Sequence, residues 1–512
     1  MNMSRRPDRP VLIVGAGPVG LVLACELLQR DVPVRVVDQA TGFSAQSRAV
    51  LVWPRILELL RRIRVAEQVV DAGHRLDGVG YYSEGRLLGT AALNRLTDTP
   101  YPFGLTLPQN DTERILRDRL TELGGKVERG VQLVDVVDER QRMSVLLRHP
   151  DGRDELAETD WLVGADGAHS TVRGRLGIGF EGSTVDVTFA ITDAPIHGPV
   201  RRDLLQYLYS RNGALGVIPL PGGLFRIATS VPPHENGWLP EREVFQQAID
   251  TRAGGLGTVG EPAWTAAFAV RTRIATRFRQ GRCLLAGDAA HIISPAGGQG
   301  MNTGIQDAVA IGWRLASVID GNAPIEILDD YARQRRAAAV RVAKTTALQT
   351  KWGLYGNRLA IAARDATFRA AHSAGLVQRF VAPLMAQTDI SYAPGQHLRW
   401  RRALRPGDRF PLVWSETAAD AISLARDTNT LARWPGRRPA VYRRRMPSDP
   451  GVHVVDLAEL PPAAFERLAA VLPAGPAVFL IQPDGHIADI IPDVDMADPA
   501  LPAPTPASEP AH

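Results

Sequence analysis

Three glycines near the N-terminus have the spacing of a phosphate-binding turn. Gly15, Gly17 and Gly20 form the pattern GxGxxG. In this pattern the first glycine permits a tight turn, the second lets a pyrophosphate approach the backbone, and the third lets a helix pack closely on a strand. Asp38 ends the next predicted strand, where a carboxylate can accept hydrogen bonds from ribose hydroxyls. Together these residues predict a dinucleotide site, and they leave open whether the dinucleotide is FAD or NAD.

Two further acidic residues each follow a short apolar run. Asp166 ends the segment Leu162-Val-Gly-Ala-Asp166, and Asp288 follows Cys283-Leu-Leu-Ala-Gly287. Ligands of open α/β sheets bind at the carboxyl ends of the strands. We therefore expect Asp288 to accept hydrogen bonds from a sugar-like chain of the ligand.

A second glycine-rich stretch precedes a predicted helix. Gly297, Gly298 and Gly300 expose their backbone amides there, and the positive end of the helix would stabilise negative charge on a bound ring. A reduced flavin carries such charge, whereas an NAD enzyme has no use for a second arm of this kind. The stretch therefore favours FAD.

Several predicted strands and one helix position these residues. An apolar strand over residues 10–14, a helix over 18–30 and a strand over 34–38 make one βαβ unit of the usual length. Residues 161–165 and 282–286 are continuous apolar runs, which are typical of buried parallel strands. Each of these strands therefore delivers one of the candidate residues to its carboxyl end.

The rest of the chain changes character several times. Short alternating segments between residues 185 and 275 predict an antiparallel sheet, and hence a second domain. A long helix is predicted from about 300 to 320, and residues 325–388 are predicted to be largely helical. Beyond Pro394 the pattern is mixed, which predicts a third, smaller α/β domain.

Composition excludes several classes of protein. The 512 residues carry a formal net charge of only +4, and no basic run is interleaved with aromatic residues, so a nucleic-acid partner is not expected. Cys25 and Cys283 lie in apolar runs and are predicted to be small buried side chains in a reducing, cytoplasmic environment. The apolar run from Val11 to Leu28 contains the glycine turn, so it predicts a strand and a helix rather than a signal peptide. Neither a membrane span nor a metal site is predicted.

The three motifs, in this order and spacing, resemble those of the FAD-dependent aromatic hydroxylases, the group A flavoprotein monooxygenases with the p-hydroxybenzoate hydroxylase fold. The resemblance is strongest to the branch that includes polyketide, antibiotic and phenol hydroxylases. It covers roughly residues 10 to 345 and, more weakly, the remainder. It implies a Rossmann-like α/β FAD-binding domain, an antiparallel-sheet substrate domain and a C-terminal thioredoxin-like domain.

The resemblance also implies a set of residues along the whole length of FAD. The set comprises Gly15, Gly17, Pro18, Val19, Gly20, Asp38, Gln39, Arg48, Gln109, Asp166, Gly287, Asp288, Pro295, Gly297, Gly298, Gly300, Met301 and Asn302. The glycine turn and Asp38 would hold the ADP half, Arg48 and Gln109 the ribityl and phosphate part, and Asp288 the ribityl chain. Asp166 belongs to a motif linked to both FAD and NAD(P)H. The last members of the set would lie beside the isoalloxazine.

Domain boundaries follow from the same comparison of motifs. We expect a discontinuous FAD-binding domain, with part of 72–108 joining the substrate domain, followed by a connector, a third domain and a tail. The expected boundaries are 1–180 and 276–345 for the FAD-binding domain, 181–275 for the substrate domain, 346–394 for a helical connector, 395–490 for the thioredoxin-like domain and 491–512 for a disordered tail. Because the last domain has no CxxC pair, we infer packing or dimer contact rather than a redox role.

The implied activity is NAD(P)H-dependent monooxygenation with O2. NADPH or NADH would reduce FAD, and a flavin C4a-hydroperoxide would hydroxylate a small aromatic, phenolic or polyketide-type substrate. No catalytic base is identified, and His169 and His291 are expected to cap or to make structural hydrogen bonds. Pocket candidates on the predicted sheet are Tyr207, Tyr209, Phe225 and Arg226. A monomer or a homodimer is expected.

Other functions remain open from the sequence. The same fold supports Baeyer–Villiger insertion, epoxidation and oxidative decarboxylation, which differ by pocket shape. A non-catalytic flavin- or nicotinamide-binding regulator is an alternative of a different class. A full set of flavin-ring loops argues against that regulator.

Overall fold

The computed structural model describes residues 9–42, 49–139, 142–234, 237–393, 404–412, 430–435, 453–460, 462–473 and 475–492. The chain divides into two compact units, Met1–Tyr392 and Ala393–His512, and each is described by itself. In the described part of the chain, no helix is long and apolar enough to cross a membrane.

Strands form the sheets of both units. They are β1 Val11–Val14, β2 Val34–Asp38, β3 Leu51–Val52, β4 His74–Leu76, β5 Gly78–Ser83, β6 Arg86–Ala92, β7 Gly104–Thr106, β8 Val127–Arg129, β9 Gln132–Asp138, β10 Met143–Arg148, β11 Asp154–Thr159, β12 Leu162–Gly164, β13 Phe180–Ala194, β14 Ile196–His197, β15 Leu204–Ser210, β16 Gly213–Pro219, β17 Phe225–Val231, β18 Thr258–Val259, β19 Trp264–Ala275, β20 Arg279–Gln280, β21 Cys283–Leu285, β22 His291–Ile292, β23 Thr430–Trp434, β24 His453–Asp456, β25 Ala477–Ile481 and β26 Ile487–Pro492.

Helices connect and cover the sheets. They are α1 Pro18–Leu28, α2 Pro54–Arg62, α3 Ala66–Ala72, α4 Gln109–Glu122, α5 Thr171–Arg175, α6 Arg242–Arg252, α7 Gly300–Ile319, α8 Ile327–Gly353, α9 Arg358–Ser373, α10 Ala382–Ala386 and α11 Pro462–Ala469. The fold is therefore mixed α/β, as predicted. Helix α8 runs without a break through residue 345, where the sequence predicted the end of the FAD-binding domain.

A six-stranded sheet forms the centre of the first unit. Its order is β20-β21-β12-β1-β2-β8, and all neighbours are parallel except β20 and β21. The strands β1, β12 and β21 are entirely buried, which explains their continuous apolar sequences. Cys25 and Cys283 are free thiols in this core, as predicted, and burial raises the pKa of Cys25 to about 12.

An eight-stranded sheet forms the second layer of the first unit. Its order is β22-β19-β13-β17-β16-β15-β5-β6, and every pair is antiparallel except β15 with β5. Two strands from residues 78–92 and one from 291–292 thus join strands that lie between residues 180 and 275. One face packs on α6 through a cluster that includes Phe245 and Ile249. The other face carries Tyr207 and Tyr209.

The second unit contains a four-stranded sheet of its own. Its order is β24-β23-β25-β26, with β23 parallel to β24 and antiparallel to β25. Its core includes Phe410, Trp434 and Phe479, and α11 packs on it through Leu468. The tail predicted from residue 491 lies, from residue 493 onward, outside the described residues.

Candidate functional site

The glycine turn after β1 is shaped by close packing at two of its three glycines. Gly15 has a positive φ of 105°, and a Cβ there would lie 2.2 Å from the carbonyl oxygen of Ala165. A Cβ on Gly20 would lie 2.0 Å from the Gly15 carbonyl oxygen. A Cβ on Gly17 would have no atom within 4 Å. Gly15 and Gly20 are therefore required by the fold, whereas Gly17 leaves open space at the N-terminus of α1.

Asp38 is tied to the glycine turn by hydrogen bonds. One carboxylate oxygen accepts from the Ala16 amide at 2.7 Å, and the other accepts from the Ala40 amide at 2.8 Å. Arg129 lies 3.6 Å from the same carboxylate. Because a carboxylate offers about four lone-pair sites, these bonds fix the side chain and leave capacity for a ligand hydroxyl. The neighbouring Gln39 is exposed.

Asp166 follows β12, the strand between β1 and β21. Its Oδ2 accepts from the Val172 amide at 3.1 Å, and its Oδ1 is shielded from solvent without a hydrogen-bond partner in the described part of the chain. Burial raises the pKa of this carboxyl above its ordinary value. Arg173 donates to the carbonyl oxygens of Ala168 and Ala289, both at 2.9 Å. Arg173 therefore connects the turn after β12 to the turn after β21.

Asp288 lies in a single 3-10 turn, Gly287–Ala289, immediately after β21. Gly287 has a positive φ of 60°, and a Cβ there would lie 2.9 Å from the Val19 side chain. A Cβ on Gly304, in α7, would lie 2.6 Å from that same side chain. The turns after β1 and β21 and the start of α7 are therefore in close contact, and Asp288 is exposed among them.

A buried ionic network lies behind the Asp288 turn. Asp307 accepts from the Gly287 amide at 3.1 Å, from His291 Nε2 at 2.6 Å and from Arg335 Nε at 2.7 Å. Burial acts to raise the pKa of Asp307, but Arg335 and His291 outweigh it and hold the pKa below its ordinary value. Tyr331, one turn before Arg335, donates to the Leu285 carbonyl at 2.6 Å. The network fixes the end of β21.

Hydrogen bonds to the backbone amide and carbonyl of Gly297 hold the loop before α7 in place. The Gly297 amide donates to the Tyr207 hydroxyl at 2.9 Å, and its carbonyl accepts from Trp53 Nε1 at 3.0 Å. Gly297 and Gly298 both have positive φ, of 84° and 57°. The side chain of Asn302 is used entirely within the protein. It bonds to the carbonyls of Leu51 and Gly298 and to the Trp53 amide.

The start of α7 offers backbone amides to a ligand. Helix α7 begins at Gly300, and the Thr303 amide donates to the carbonyl of Gln299, the residue that precedes the helix, at 2.9 Å. The amides of Gly300, Met301 and Asn302 therefore have no partner within the helix. Pro295 is exposed and Met301 is half-buried. This end of α7 can therefore bind an anionic or electron-rich group.

A chain of buried carboxamides supports the same loop. Gln306 donates to Gln387 at 2.6 Å, Gln387 donates to Gln299, and Gln299 donates to the Gly297 carbonyl at 3.2 Å. Gln387 has a positive φ of 56°, at the end of α10. The chain joins α7, the loop and the residue after α10.

The four pocket candidates divide between the two faces of the eight-stranded sheet. Tyr207 and Tyr209 stack on the face that carries Trp53, with ring centroids 6.4 Å apart. Arg226 shares that face but is paired with Asp193 through two bonds of 2.8 and 2.9 Å. Phe225 lies on the opposite face, in the core beneath α6. Phe225 is therefore a core residue and does not line a pocket with Tyr207.

One of the two candidates for the ribityl and phosphate part, Gln109, lies at the start of α4. Gln109 accepts from the Ala49 amide at 3.2 Å and donates to Glu113 at 2.9 Å. Its side chain therefore connects α4 to the segment that follows Arg48. Arg48 itself lies outside the described residues.

The two histidines near the strand ends have different surroundings. His291 is fully buried and bonded to Asp307, so its hydrogen bond is structural, as expected. His169 is exposed in the turn after β12.

Several residues that support the site were not identified from the sequence. Asp307, Trp53 and Gln387 carry no motif around them, and their partners are distant along the chain. One signal was present for Asp307, since an acidic residue among the apolar residues of α7 must be paired when it is buried.

Comparisons with known proteins agree with this geometry. Residues 8–346 match a family model described as FAD binding domain. The 6-methylpretetramide 4-monooxygenase of Streptomyces rimosus is 42% identical over 355 residues, which are 68% of this chain and 63% of that protein. A flavin-dependent monooxygenase of Mycobacteroides abscessus is 30% identical over 500 residues, which are 93% of this chain and 96% of that protein. The chain is thus matched to less than two thirds of the first relative and to nearly all of the second.

The fold is also found among solved structures. The anhydrotetracycline hydroxylase OxyS from Streptomyces rimosus is similar with a TM-score of 0.70 and 27% sequence identity. The similarity covers 94% of this chain and 96% of OxyS.

Proposed function

Because the chain belongs to the FAD-dependent aromatic hydroxylases, and is therefore a flavin-dependent monooxygenase, we propose that it uses NAD(P)H and O2 to hydroxylate an aromatic substrate of the phenolic or polyketide type. FAD is its cofactor. The observation that carries the proposal is that the turns after three adjacent strands, β1, β12 and β21, meet beside the start of α7. This is the arrangement that one extended dinucleotide requires.

The residues present fit FAD. The open space at Gly17 lets a pyrophosphate reach the α1 amides, and a side chain at this position would occupy that space. Asp38 would hold the adenosine ribose, and Asp288 would hold the ribityl chain. Asp166, whose Oδ1 is unpartnered, lies between the Asp38 side and the Asp288 side of the site, because β12 lies between β1 and β21. Gln39, Arg48 and Gln109 complete the set along the cofactor.

The loop from Pro295 to Asn302 would hold the isoalloxazine. Bound FAD supplies the redox chemistry that passes electrons from NAD(P)H to O2. The α7 amides stabilise negative charge on the ring edge. Tyr207 keeps its proton, because burial raises its pKa to about 12, and its hydroxyl orients the Gly297 peptide.

The sheet face with Tyr207 and Tyr209 is the wall of the substrate pocket. The buried cluster around Trp53, Tyr81 and Met385 excludes water from that side, as a reactive oxygenating site requires. The charge of Arg226 is already neutralised by Asp193. Arg226 therefore helps to shape the pocket wall and does not offer an unneutralised charge to the substrate. The eight-stranded sheet is thus the substrate domain. The flavin-ring loop and this sheet are joined directly by the Tyr207–Gly297 hydrogen bond.

The second unit is a thioredoxin-like appendage without redox chemistry. The order β23-β24-α11-β25-β26, with one parallel pair followed by antiparallel pairs, supports this assignment. It has no cysteine, since both cysteines of the chain lie in the first unit. Its role is packing or dimer contact.

A turnover experiment tests the proposed function. The purified protein should be yellow, and phenols and fused-ring phenols under air should stimulate its oxidation of NADPH or NADH. With 18O2, the product should gain one labelled oxygen on an aromatic carbon. Insertion into a carbon–carbon bond would instead identify the Baeyer–Villiger reaction, and label in an epoxide would identify epoxidation. A flavin-loaded protein that no aromatic compound stimulates would be a regulator, and the proposal would fail.

A further inference from the structure

One cross-strand row of the eight-stranded sheet is unusually poor in side-chain volume. The row runs across five adjacent strands through Tyr207, Gly216, Ala228, Ile191 and Ala266, which are register partners. We call this row the sheet floor. Directly paired residues of neighbouring strands lie on the same face, so the five residues line one surface. Beyond Tyr207, the row itself has only one side chain larger than a methyl group, although Ile218 and Arg226 lie on the same face at the next pair along β16 and β17.

The opposite face of the same strands is filled in the ordinary way. Leu215 and Val217 flank Gly216 along β16, point to the other side, and pack with Phe245 and Ile249 of α6. At this position of β16, the face covered by α6 therefore has large apolar residues. Helix α8 covers the other face near Tyr209, where a Cβ on Gly353 would lie 3.0 Å from the tyrosine ring, but the three atoms nearest to a Cβ on Gly216 all belong to the sheet. The sheet floor has small side chains, and Ala228 and Tyr207 within it are only half-buried.

The backbone does not require a glycine at position 216. Its φ is not positive, and a Cβ there would lie 3.8 Å from the Ala228 carbonyl oxygen and 4.0 Å from Tyr207 Cε1. Those are ordinary contact distances, so alanine would fit. Glycine weakens a strand interior and often marks the close approach of a ligand. The absence of a side chain at position 216 is therefore best explained by a ligand that lies against the sheet there.

The sheet floor leads directly to the flavin-ring loop. Tyr207, at one end of the row, accepts the hydrogen bond from the Gly297 amide at 2.9 Å. Neighbouring strands are about 4.8 Å apart, so the row spans roughly 19 Å from β15 to β19. A single aromatic ring covers little more than one strand spacing, whereas fused rings lie across several. The side chains of Gly216, Ala228, Ile191 and Ala266 have no polar atoms, which suits an apolar ring face.

We propose that Gly216 is a specificity-determining residue, whose missing side chain opens the sheet floor to a flat substrate of several fused aromatic rings. The inference rests on the proposed function, because it takes the sheet face as the pocket wall. It goes further by naming the size class of the substrate and the residue that sets it. A larger residue at position 216 fills the space above β16 and leaves only the end near Tyr207, which a single ring can use.

Binding to the flavin-loaded protein tests the inference without turnover. The probes are 1,8-dihydroxyanthraquinone, with three fused rings, and phenol, with one, and each titration follows the flavin absorbance. We expect the native protein to bind the three-ring probe about tenfold or more tightly than phenol. Gly216→Leu should weaken three-ring binding about tenfold or more, since overpacking of a filled site is costly, and should leave phenol binding within about twofold.

Two further variants keep the test decisive. Ala269→Leu adds the same bulk on the other face of β19, where Ala269 is exposed, and should bind both probes as the native protein does. Gly216→Ala should weaken three-ring binding by a smaller factor than Gly216→Leu. It replaces that variant in the test if Gly216→Leu does not fold. Native preference for phenol, unchanged three-ring binding in Gly216→Leu, or equal loss of both probes would each overturn the inference.

The inference and the proposed function fail separately. A native protein that binds the three-ring probe in the expected order, but never couples NAD(P)H oxidation to its hydroxylation, contradicts the proposed function alone. A protein that hydroxylates phenols efficiently and does not respond at position 216 contradicts the inference alone.

Discussion

The hydroxyl oxygen of Tyr207 accepts a hydrogen bond of 2.9 Å from the amide of Gly297. This bond joins the eight-stranded sheet to the loop that precedes α7. Because the same loop is proposed to hold the flavin ring, the bond couples the position of the pocket wall to the position of the cofactor.

Replacing Tyr207 by phenylalanine should uncouple the reaction. The Gly297 amide would lose its acceptor, and an unsatisfied buried amide costs about 1–3 kcal/mol. We expect FAD to stay bound, kcat to fall, and more NADPH oxidation to end in H2O2. The measurement is product formed per NADPH consumed. Tyr82→Phe, on the other face of the sheet, is the control, and equal coupling in the two variants would contradict the prediction.

Asp307→Asn should destabilise the protein and weaken FAD binding together. Arg335 would remain buried without its counter-ion, and breaking a buried ion pair costs about 3–5 kcal/mol. The Gly287 amide would also lose its charged acceptor, which disturbs the turn that presents Asp288. Chemical unfolding and FAD titration measure the two effects. Asp118→Asn removes an exposed ion pair and should change neither, because such pairs contribute about 0–1 kcal/mol.

The stabilisation from Asp307 should depend on pH in one direction. Its pKa in the folded protein lies below the ordinary value of 3.8, so its contribution is fully present above about pH 4 and is lost as the pH falls through the folded pKa. The difference in unfolding free energy between the native protein and Asp307→Asn should therefore be constant from neutral pH down to about pH 5. It should shrink below about pH 4, and a difference that grows on acidification would contradict the assignment.

Asp288→Ala should yield a folded protein that loses FAD on purification. The side chain is exposed at the end of β21, so its removal leaves the core intact. A hydrogen bond to a charged group contributes about 1.5–3 kcal/mol, which corresponds to roughly 10- to 100-fold in affinity. Flavin absorbance per protein measures the occupancy. Asp71→Ala, another exposed acid, should keep full occupancy, and full occupancy in both variants would count against the ribityl role.

The glycine turn allows a fold effect to be separated from a cofactor effect. A side chain at Gly17 meets no protein atom within 4 Å, whereas one at Gly20 would lie 2.0 Å from the Gly15 carbonyl. Gly17→Val should therefore leave the melting temperature of the FAD-free protein nearly unchanged and reduce FAD affinity. Gly20→Val should lower both. Equal melting temperatures for the two FAD-free variants would be inconsistent with the packing at Gly20.

Local sequence patterns predicted the elements around the cofactor well. The strand, glycine turn and helix from Val11 to Leu28 each have a residue pattern that only one structure satisfies. Apolar runs that end in Asp166 and in Gly287-Asp288 likewise predicted two strands and their ends. These features depend on neighbours along the chain, and a sequence displays such neighbours directly.

Contacts between distant segments could not be predicted in the same way. Gly297 lies in the loop before α7 and Tyr207 in β15, 90 residues apart along the chain, and no local pattern encodes their contact. Phe225 and Arg226 were both considered for the pocket, yet adjacent residues of a strand point to opposite faces. The alternation alone shows that only one of them could line it. Knowing which one required the register of β17 with β13 and β16.

The strand order of the central sheet has a consequence for how the chain acquires its cofactor during synthesis. The turn that is proposed to receive the pyrophosphate leaves the ribosome early, but β21 and the start of α7 emerge only after residue 300 has been translated. At about 5–20 residues per second, the nascent chain carries an incomplete cleft for tens of seconds. Productive flavin capture is therefore a late event, and a ribosome stalled before β21 displays a chain that cannot yet retain the coenzyme.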